Sequence, residues 1–256
     1  MLMAFAPGAN AQDAESRPPF VTTPEAVVER MLGLAGTRAD DFVMDLGSGD
    51  GRIVIAAARM FGARGLGIEI DPELVARSRE NARRAGVAAL VQFEERDVLA
   101  ADLSRATVVT IYLLPWLVDR LQPKLMHELR PGARIVAHAF AMKGWKADRS
   151  ESMRVAQPRQ GQSGESTLFL WTVPAEARGR WRAGGWQLRV HQNFQEIEVE
   201  AAYADAPVAV QQARLEGRAI AFSGPEFSFR GDVEESLMRG ELTRSGKTEA
   251  ITFRRH

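Results

Sequence analysis

The chain of 256 residues contains no cysteine. Disulfide bonds, thiolate nucleophiles and cysteine-ligated metal sites are therefore excluded. Histidine is also scarce, and the four copies are too far apart in sequence to form a local pair of metal ligands: His127, His138, His191 and His256. We therefore expect no metal site.

The chain also lacks a net charge and any long hydrophobic run. Lys and Arg together number 33, as do Asp and Glu. Because nucleic-acid-binding proteins carry a basic excess, we expect no nucleic-acid partner. No apolar run approaches the roughly 20 residues of a membrane-spanning helix, so we predict no transmembrane segment. What remains is an ordinary globular composition, 45% hydrophobic and 26% charged, with room for one large domain or two modest ones.

The first 19 residues do not have the pattern of a packed element. A short apolar stretch is broken by Pro7 and Gly8, and Ala9-Asn10-Ala11 then fits the pattern of a signal-peptidase site. One interpretation is the end of an export signal that starts upstream of Met1, which predicts a periplasmic protein. The other is a cytoplasmic leader. The sequence leaves both open.

Between residues 20 and 175, short apolar runs alternate with helical patterns, which predicts a doubly wound, mostly parallel sheet. Thr23 is expected to cap the first helix, and Pro123 is expected to interrupt the helical region after the fourth strand. The polar stretch 145–164 is expected to be irregular, with a short strand at Arg154-Val155 as one option; its part from residue 148 is expected either to serve substrates or to be disordered surface. The predicted strands are 41–46, 65–70, 90–94, 107–112, 134–140 and 166–171.

The character of the chain changes after residue 178. Short alternating segments are punctuated by glycines to the end of the chain, a pattern typical of antiparallel strands. We predict a small, barrel-like antiparallel β domain over residues 178–256. The expected organisation is a leader (1–19), an α/β domain (20–175) and this β domain, in which we identify no chemistry.

A glycine-rich turn follows the first predicted strand, with Gly47, Gly49 and Gly51 at alternate positions. A turn without Cβ atoms lets the backbone approach a ligand, and the following helix points its free N–H groups at that ligand. The spacing departs from the dinucleotide fingerprint G-x-G-x-x-G, because Arg52 stands where the third glycine belongs.

Three carboxylates accompany this turn at the ends of three successive predicted strands. Asp45 precedes the first glycine, Glu69 ends the second strand and Asp97 follows the third. The carboxyl ends of parallel strands share one edge of the sheet, where Glu69 can accept two hydrogen bonds from ribose hydroxyls. Asp97 can accept one from an adenine amino group. Together, the turn and the three acids indicate a nucleoside-containing ligand.

These residues resemble those of a known family. The segment from Asp45 to Gly51 resembles motif I of the class I, seven-strand methyltransferases, with Glu69 and Asp97 at their ribose-binding and adenine-contacting positions. The resemblance implies S-adenosyl-L-methionine as cofactor. The cofactor-binding residues expected from the motif and its surroundings are Thr23, Asp45, Gly47, Ser48, Gly49, Asp50, Gly51, Glu69, Asp97 and Val98.

A narrower resemblance concerns the acceptor of the methyl group. The segment before the motif, from Pro19 to Leu32, and the motif itself resemble bacterial relatives of the mitochondrial lysine methyltransferases that act on the adenine nucleotide translocase and the ATP synthase c-subunit. This resemblance implies a protein-lysine acceptor. The chain departs from those enzymes in its β domain and in the absence of a membrane segment.

The end of the fourth strand borders the methyl group in this fold, which makes Tyr112, Pro115 and Trp116 the candidate catalytic residues. Tyr112 and Trp116 can wall an acceptor pocket and stabilise a cationic substrate, or they can be core residues at a strand–helix junction. His138 is a candidate base, with a buried structural role as the alternative. Phe20 with Thr22 or Thr23 is expected to close over the cofactor.

The sequence leaves two other functions open. One is methylation of a small molecule or lipid, with the β domain as its receptor. The other is a protein that binds the cofactor without catalysis. The sequence makes no prediction of the oligomeric state.

Overall fold

A computed structural model describes residues 20–155 and 164–256. The predicted leader therefore lies outside the described residues, as does part of the polar stretch, residues 156–163. Within the described ranges, no helix combines the length and the apolar character that crossing a bilayer requires.

Seven strands form the first sheet: β1 (Phe42–Leu46), β2 (Arg64–Glu69), β3 (Val91–Glu95), β4 (Val108–Ile111), β5 (Arg134–His138), β6 (Arg149–Arg154) and β7 (Glu165–Thr172). Their spatial order is β3-β2-β1-β4-β5-β7-β6. The first five run parallel, whereas β7 is antiparallel to β5 and β6 is antiparallel to β7. β1 and β4 are buried almost throughout, as expected for parallel strands covered on both faces.

Helices cover both faces of this sheet: α1 (Glu25–Leu34), α2 (Arg52–Phe61), α3 (Pro72–Arg84) and α4 (Pro115–Glu128). On one face, α1 and α2 bury Met31 and Ile53 against the strands. On the other face, α4 buries Leu121 and Leu125. This arrangement confirms the predicted doubly wound, mostly parallel fold.

Three local predictions are wrong. Pro123 lies inside a continuous α4, because its side chain faces solvent while Leu121 and Leu125 anchor the helix to the core on either side. Within the described residues, Thr23 makes no capping bond, and Pro24 holds the N-cap position of α1. The stretch predicted to be irregular contains β6, an edge strand without β-branched residues that the sequence pattern does not reveal.

Nine antiparallel strands form the second sheet: β8 (Gly179–Ala183), β9 (Trp186–Asn193), β10 (Glu196–Tyr203), β11 (Ala206–Val208), β12 (Gln212–Glu216), β13 (Ala219–Gly224), β14 (Phe227–Glu234), β15 (Leu237–Arg244) and β16 (Lys247–Arg255). Their order is β11-β10-β9-β8-β16-β15-β14-β13-β12, so most neighbours are consecutive hairpin partners. The β8–β16 ladder, which joins the two halves, contains only two residue pairs.

The second sheet curls around a core of its own. Side chains from strands near its two edges, such as Val199 and Leu215, share one buried cluster with Trp181, Phe229 and Phe253. Such a cluster requires the sheet to fold its two edges toward each other. The second sheet is thus a half-barrel, as predicted. The division of the chain into domains near residue 175 stays a prediction.

Candidate active site

A cavity of about 620 Å³ opens at the carboxyl edge of the first sheet, where the loops after β1, β2, β3 and β4 meet. This edge is the usual ligand site of doubly wound folds, and the volume suits a small organic ligand. The N-terminal arm ahead of α1 also lines it. The cavity walls are formed by residues 20–23, 45, 47–50, 52–53, 69–71, 74, 97–99, 112–114, 116–117, 120 and 140.

The glycine-rich turn has the backbone geometry that its composition predicts. Gly47, Gly49 and Gly51 all have positive φ, at 78°, 54° and 80°. A Cβ on Gly47 would lie 2.6 Å from Leu113 Cδ2, and a Cβ on Gly49 would overlap the Phe20 ring. The turn is fixed to β2, since the Gly47 and Ser48 amides each donate to the Ile68 carbonyl at 2.9 Å. Bulkier residues would therefore strain the turn and displace the walls of the cavity.

The Glu69 carboxylate joins the end of β2 to this turn. Its Oε2 accepts from the Gly49 amide at 2.8 Å, and its Oε1 accepts from the Ile70 and Asp71 amides at 2.8 and 3.1 Å. The side chain is only 8% exposed, yet it borders the cavity. Three backbone donors thus hold a buried acceptor at the cavity wall, and each oxygen has lone pairs left for a ligand hydroxyl.

Asp45 lies deeper, on β1. It is 3% exposed, and its Oδ1 accepts from the Thr110 hydroxyl at 2.7 Å. Burial, with smaller contributions from the carboxylates of Glu69 and Asp50, raises the pKa of Asp45 to about 7, although the Thr110 hydrogen bond opposes the shift. The carboxyl group therefore keeps its proton to a higher pH than an ordinary aspartate, and a cationic ligand would favour its ionised form.

Asp50 and Arg52 form a second, more exposed network. The Arg52 guanidinium binds both Asp50 oxygens, at 2.8 and 2.6 Å, and donates to the Thr23 carbonyl at 2.8 Å. Burial alone would raise the pKa of Asp50, but the Arg52 guanidinium holds it below its usual value. Arg52 thereby ties the N-terminal arm to the glycine-rich turn, which places Phe20 against Gly49.

Asp97 follows β3 and borders the same cavity. Its Oδ1 accepts from the Leu99 amide at 2.9 Å and thereby starts a short 3-10 helix, Val98–Ala100. Asp97, Val98 and Ile70 all line the cavity, and Ile70 is an unusually exposed apolar residue. A carboxylate beside apolar side chains suits a flat heteroaromatic ring with an amino group.

The wall after β4 is apolar. Tyr112 and Trp116 both line the cavity, and Trp116 is 50% exposed. Leu114 and Phe140 add further exposed apolar surface to the same cavity. This wall can desolvate a ligand that enters from the protein surface.

His138 is a core residue behind this wall. Its ring packs on Tyr112, with centroids 4.1 Å apart, and its Nε2 lies 3.0 Å from the Ser166 hydroxyl. Among the described residues Nδ1 has no hydrogen-bond partner. Burial lowers the pKa of His138 to about 4, so the ring is neutral near pH 7 and a weak base.

Most of the predicted site residues border the cavity, but three do not follow the expectation. Gly51 and Pro115 are missing from the described lining residues. Gly51 instead starts α2, where its Cα packs under Phe93, and Pro115 occupies the first turn of α4. The Ser48 hydroxyl is buried, faces Gly67 and has no partner among the described residues, so Ser48 presents backbone to the ligand.

Comparison with known proteins identifies the family of the chain. The model of the family described as "ANTKMT methyltransferase domain" matches residues 45–149. A protein from Saccharolobus islandicus (strain REY15A), named protein-lysine N-methyltransferase, is 44% identical over 128 residues, which cover 50% of this chain and 80% of that protein. The chain belongs to this family of class I S-adenosylmethionine-dependent methyltransferases. The resemblance inferred from the motif is thereby confirmed.

Other proteins similar to this methyltransferase are named for different methyl acceptors. The adenine nucleotide translocase lysine N-methyltransferase of Mus musculus is 38% identical over 128 residues, and the matched part is 56% of its length. The chain thus spans just over half of that relative. A solved structure described as an RNA methyltransferase from Salinibacter ruber, in complex with S-adenosyl-L-homocysteine, is 51% identical, with a TM-score of 0.56. The likeness covers 61% of this chain and 95% of that one.

S-adenosyl-L-methionine is the cofactor, and the residues at the cavity fit it. When bound, it supplies an electrophilic methyl group on a sulfonium. The turn without Cβ atoms lets the protein backbone approach the cofactor, and the Glu69 carboxylate offers a rigid bidentate acceptor. The apolar and acidic end at Ile70 and Asp97 matches an adenine, while Asp45 offers negative charge for the cationic groups.

Several cavity residues were not predicted from the sequence, among them Arg52, Ile70, Leu99, Arg120 and Phe140. Arg52 could have been found from the sequence, because it occupies the position of the third glycine in the dinucleotide fingerprint. Ile70 directly follows the predicted ribose acid, so adjacency could have found it. The others lie on loops and helix faces whose direction only the fold sets.

Proposed function

We propose that this methyltransferase transfers the methyl group of S-adenosylmethionine to the side-chain amine of a protein lysine. The proposal rests on the charge of the cavity lining and on the apolar residues at the cavity mouth. Its charged lining contains five carboxylates, those of Asp45, Asp50, Glu69, Asp71 and Asp97, against the guanidiniums of Arg52 and Arg120. An acidic cavity with an apolar mouth suits an incoming cation on an aliphatic stem.

The apolar residues at the mouth support a protein acceptor. Seven large apolar side chains are notably exposed in the described residues, and all except Met60 line this cavity: Phe20, Val21, Ile70, Leu114, Trp116 and Phe140. Concentrated apolar surface marks a contact site for another molecule. A polypeptide segment has apolar side chains to place there, whereas a nucleic-acid backbone brings phosphates that would meet carboxylates.

The same wall serves the chemistry of a lysine. Only the neutral amine has the lone pair that attacks the methyl group, and a lysine in water has a pKa of about 10.4. Trp116 and Tyr112 attract the ammonium while it docks, and burial between them lowers its pKa, so that the proton is released to solvent before the amine is enclosed. Transfer then needs the amine in line with the sulfonium–methyl bond, with water excluded.

In this proposal, each group of cavity residues binds a different part of the cofactor. Glu69 binds the ribose hydroxyls, and Asp97 with Val98 and Ile70 encloses the adenine. The turn at Gly47, Ser48 and Gly49 approaches the cofactor with its backbone. Asp45 and Asp50 lie toward the cationic part, and Thr23 belongs to the arm that covers it.

A label-transfer assay tests the proposal. S-adenosylmethionine with a radioactive methyl group is incubated with the purified enzyme and a cell lysate, and the products are divided among protease, ribonuclease and lipid-extraction arms. We expect the label to be lost with protease and to be found on lysine by mass spectrometry. Label that resists protease, or that lies on another residue type, contradicts the lysine acceptor.

A second candidate acceptor is RNA, because the similar protein from Salinibacter ruber is described as an RNA methyltransferase. An RNA acceptor predicts label that ribonuclease removes and protease does not. The Glu69→Gln variant, expected to bind cofactor poorly, serves as the background control in every arm.

A further inference from the structure

We give the name acceptor wall to four apolar cavity residues: Tyr112, Leu114, Trp116 and Phe140. The loop that follows β5 carries Phe140 in a constrained conformation. Ala139 has a φ of 71°, which is uncommon for a residue with a Cβ, and its amide donates to the Thr167 carbonyl at 2.8 Å. The next amide, of Phe140, donates back to the His138 carbonyl at 3.0 Å. Such strain persists only where the surroundings hold the chain in place. It places Phe140 at the cavity.

The other end of this loop is held by Trp145. This indole is only 2% exposed, and the Trp171 ring nitrogen donates to the Trp145 carbonyl at 3.0 Å. One flank of Trp145 thus belongs to the core of the first sheet. The loop is therefore pinned between two fixed points, Ala139 and Trp145.

The second sheet supplies the opposite side of the Trp145 pocket. The turn between β9 and β10 places the Phe194 ring parallel to the indole, with centroids 5.1 Å apart and planes inclined by 6°. The Trp145 ring nitrogen donates to Gln195 Oε1 at 2.8 Å, and Gln195 Nε2 donates to the Lys146 carbonyl at 2.7 Å. Both residues of this tight turn thus contact the loop.

Phe194 stands out among the turn residues of the second sheet with positive φ because it is aromatic and its ring contacts the first sheet. Phe194 has a φ of 53°, where a hairpin normally has glycine or asparagine. An aromatic residue in this conformation is costly, and its stacking against Trp145 offsets the cost. The same two residues therefore close the β9–β10 hairpin and contact the first sheet.

We propose that the second sheet positions the acceptor wall of the methyltransferase through Phe194 and Gln195. These positioning residues fix Trp145, Trp145 fixes the loop 139–146, and the loop sets the place of Phe140 at the cavity. The role in acceptor binding depends on the function proposed above, whereas the effect on the loop does not.

The chain offers a matched pair of variants. Gln195→Met keeps the length of the side chain and removes both hydrogen bonds to the loop. Gln187→Met is the control, since Gln187 lies in the same sheet and donates to Asp205 at 2.7 Å within that sheet. Phe194→Asn is the second variant, because asparagine tolerates the left-handed conformation and only the stacking is lost.

Hydrogen–deuterium exchange measures the loop without any acceptor. We expect Gln195→Met and Phe194→Asn to increase exchange over residues 139–146 about tenfold, with residues 47–51 unchanged, because local opening becomes easier where contacts are removed. Gln187→Met should leave both segments unchanged. Unchanged exchange over 139–146 in both variants overturns the proposal.

Kinetics measure the consequence for the acceptor. We expect Gln195→Met to raise the KM for the protein that the label-transfer assay identifies as acceptor. The expected rise is about fivefold to tenfold, the range that the loss of one or two hydrogen bonds gives. The Kd for S-adenosylhomocysteine should stay within about twofold of wild type. An equal loss of cofactor affinity would indicate general destabilisation and overturn the proposal.

A double variant tests the route through Phe140. If Gln195 acts by placing Phe140, adding Gln195→Met to Phe140→Ala costs little beyond Phe140→Ala alone, because coupled residues are not additive. Fully additive effects overturn this route. If wild-type enzyme labels no protein, the lysine acceptor is wrong, and the exchange experiment still decides whether the second sheet positions the loop.

Discussion

The two halves of the cavity are built in different ways. The half around the glycine-rich turn is fixed by backbone groups: Gly47 and Gly49 have positive φ, and three amides hold the Glu69 carboxylate. The half around Trp116 is made of exposed apolar side chains from separate loops, including Leu114 and Phe140. A backbone site binds one invariant ligand, whereas a side-chain wall can be changed for another acceptor without disturbing the first half.

The largest effect on cofactor affinity should follow from a substitution at Glu69, in the half of the cavity around the glycine-rich turn. In Glu69→Gln an amide group faces three backbone donors and can accept from only part of them, while the charge is lost. Hydrogen bonds to a charged group contribute about 1.5 to 3 kcal/mol each, so we expect cofactor affinity to fall about 100-fold or more by calorimetry.

The matched control is Glu94→Gln, an exposed glutamate on the neighbouring strand that pairs with Arg96. Its cofactor affinity should equal that of the wild type. Equal affinities for Glu69→Gln and Glu94→Gln would remove Glu69 from the site.

The next effect concerns pH. Because the pKa of Asp45 is about 7 in the free protein, binding of the cationic cofactor below that pH requires loss of a proton. We expect S-adenosylmethionine affinity to fall by up to about tenfold for each pH unit below 7, and Asp45→Asn to flatten this dependence. Asp97→Asn is the comparison variant. If the pH dependence of cofactor affinity in Asp45→Asn equals that of the wild type, Asp45 is not the group that titrates.

Asp45 has a matching effect on stability. Its raised pKa means that the folded state is stabilised fully below the ordinary pKa of the group, and that this stability is lost as the pH rises through about 7. We therefore expect Asp45→Asn, which cannot ionise, to have a higher Tm than wild type at pH 8, a smaller advantage at pH 5 and none below the ordinary pKa of 3.8. A lower Tm at pH 8 would argue against the raised pKa.

Breaking the side-chain half should have a smaller and separate effect. Trp116→Ala removes an exposed ring from the acceptor wall, and cation–π contacts contribute about 0.5 to 2 kcal/mol. We expect the KM for the acceptor to rise about tenfold, with cofactor affinity unchanged. A loss of cofactor affinity instead would show that the two halves are not independent.

The smallest effect is expected at His138. A general base contributes about 100-fold or more to a rate, but a pKa near 4 makes this ring a poor base. We expect His138→Gln to lower kcat less than about tenfold at pH 8, through the packing lost on Tyr112. A fall of 100-fold, with an altered pH–rate profile, would return His138 to the candidate bases.

The same contrast explains how far sequence reasoning reached. The turn at residues 47–51, Glu69 and Asp97 were predictable because each is fixed by its place in a strand–turn–helix unit, and the parallel sheet brings those units to one edge. The course of residues 139–154 was not predictable, because β6 is an edge strand whose pairing with β7 comes from tertiary contacts. Pro123 was misjudged for a similar reason, since core packing at Leu121 and Leu125 outweighs its local preference.

The sequence by itself determined the fold class, the cofactor class and most of the predicted residues that border the cavity. These depend on local periodicity, on glycine conformations and on carboxylates at strand ends, all of which act over a few residues. The tertiary structure decided the raised pKa of Asp45, the link from Arg52 to the N-terminal arm and the contact of Phe194 with Trp145. Burial and contacts between distant segments exist only once the chain is folded.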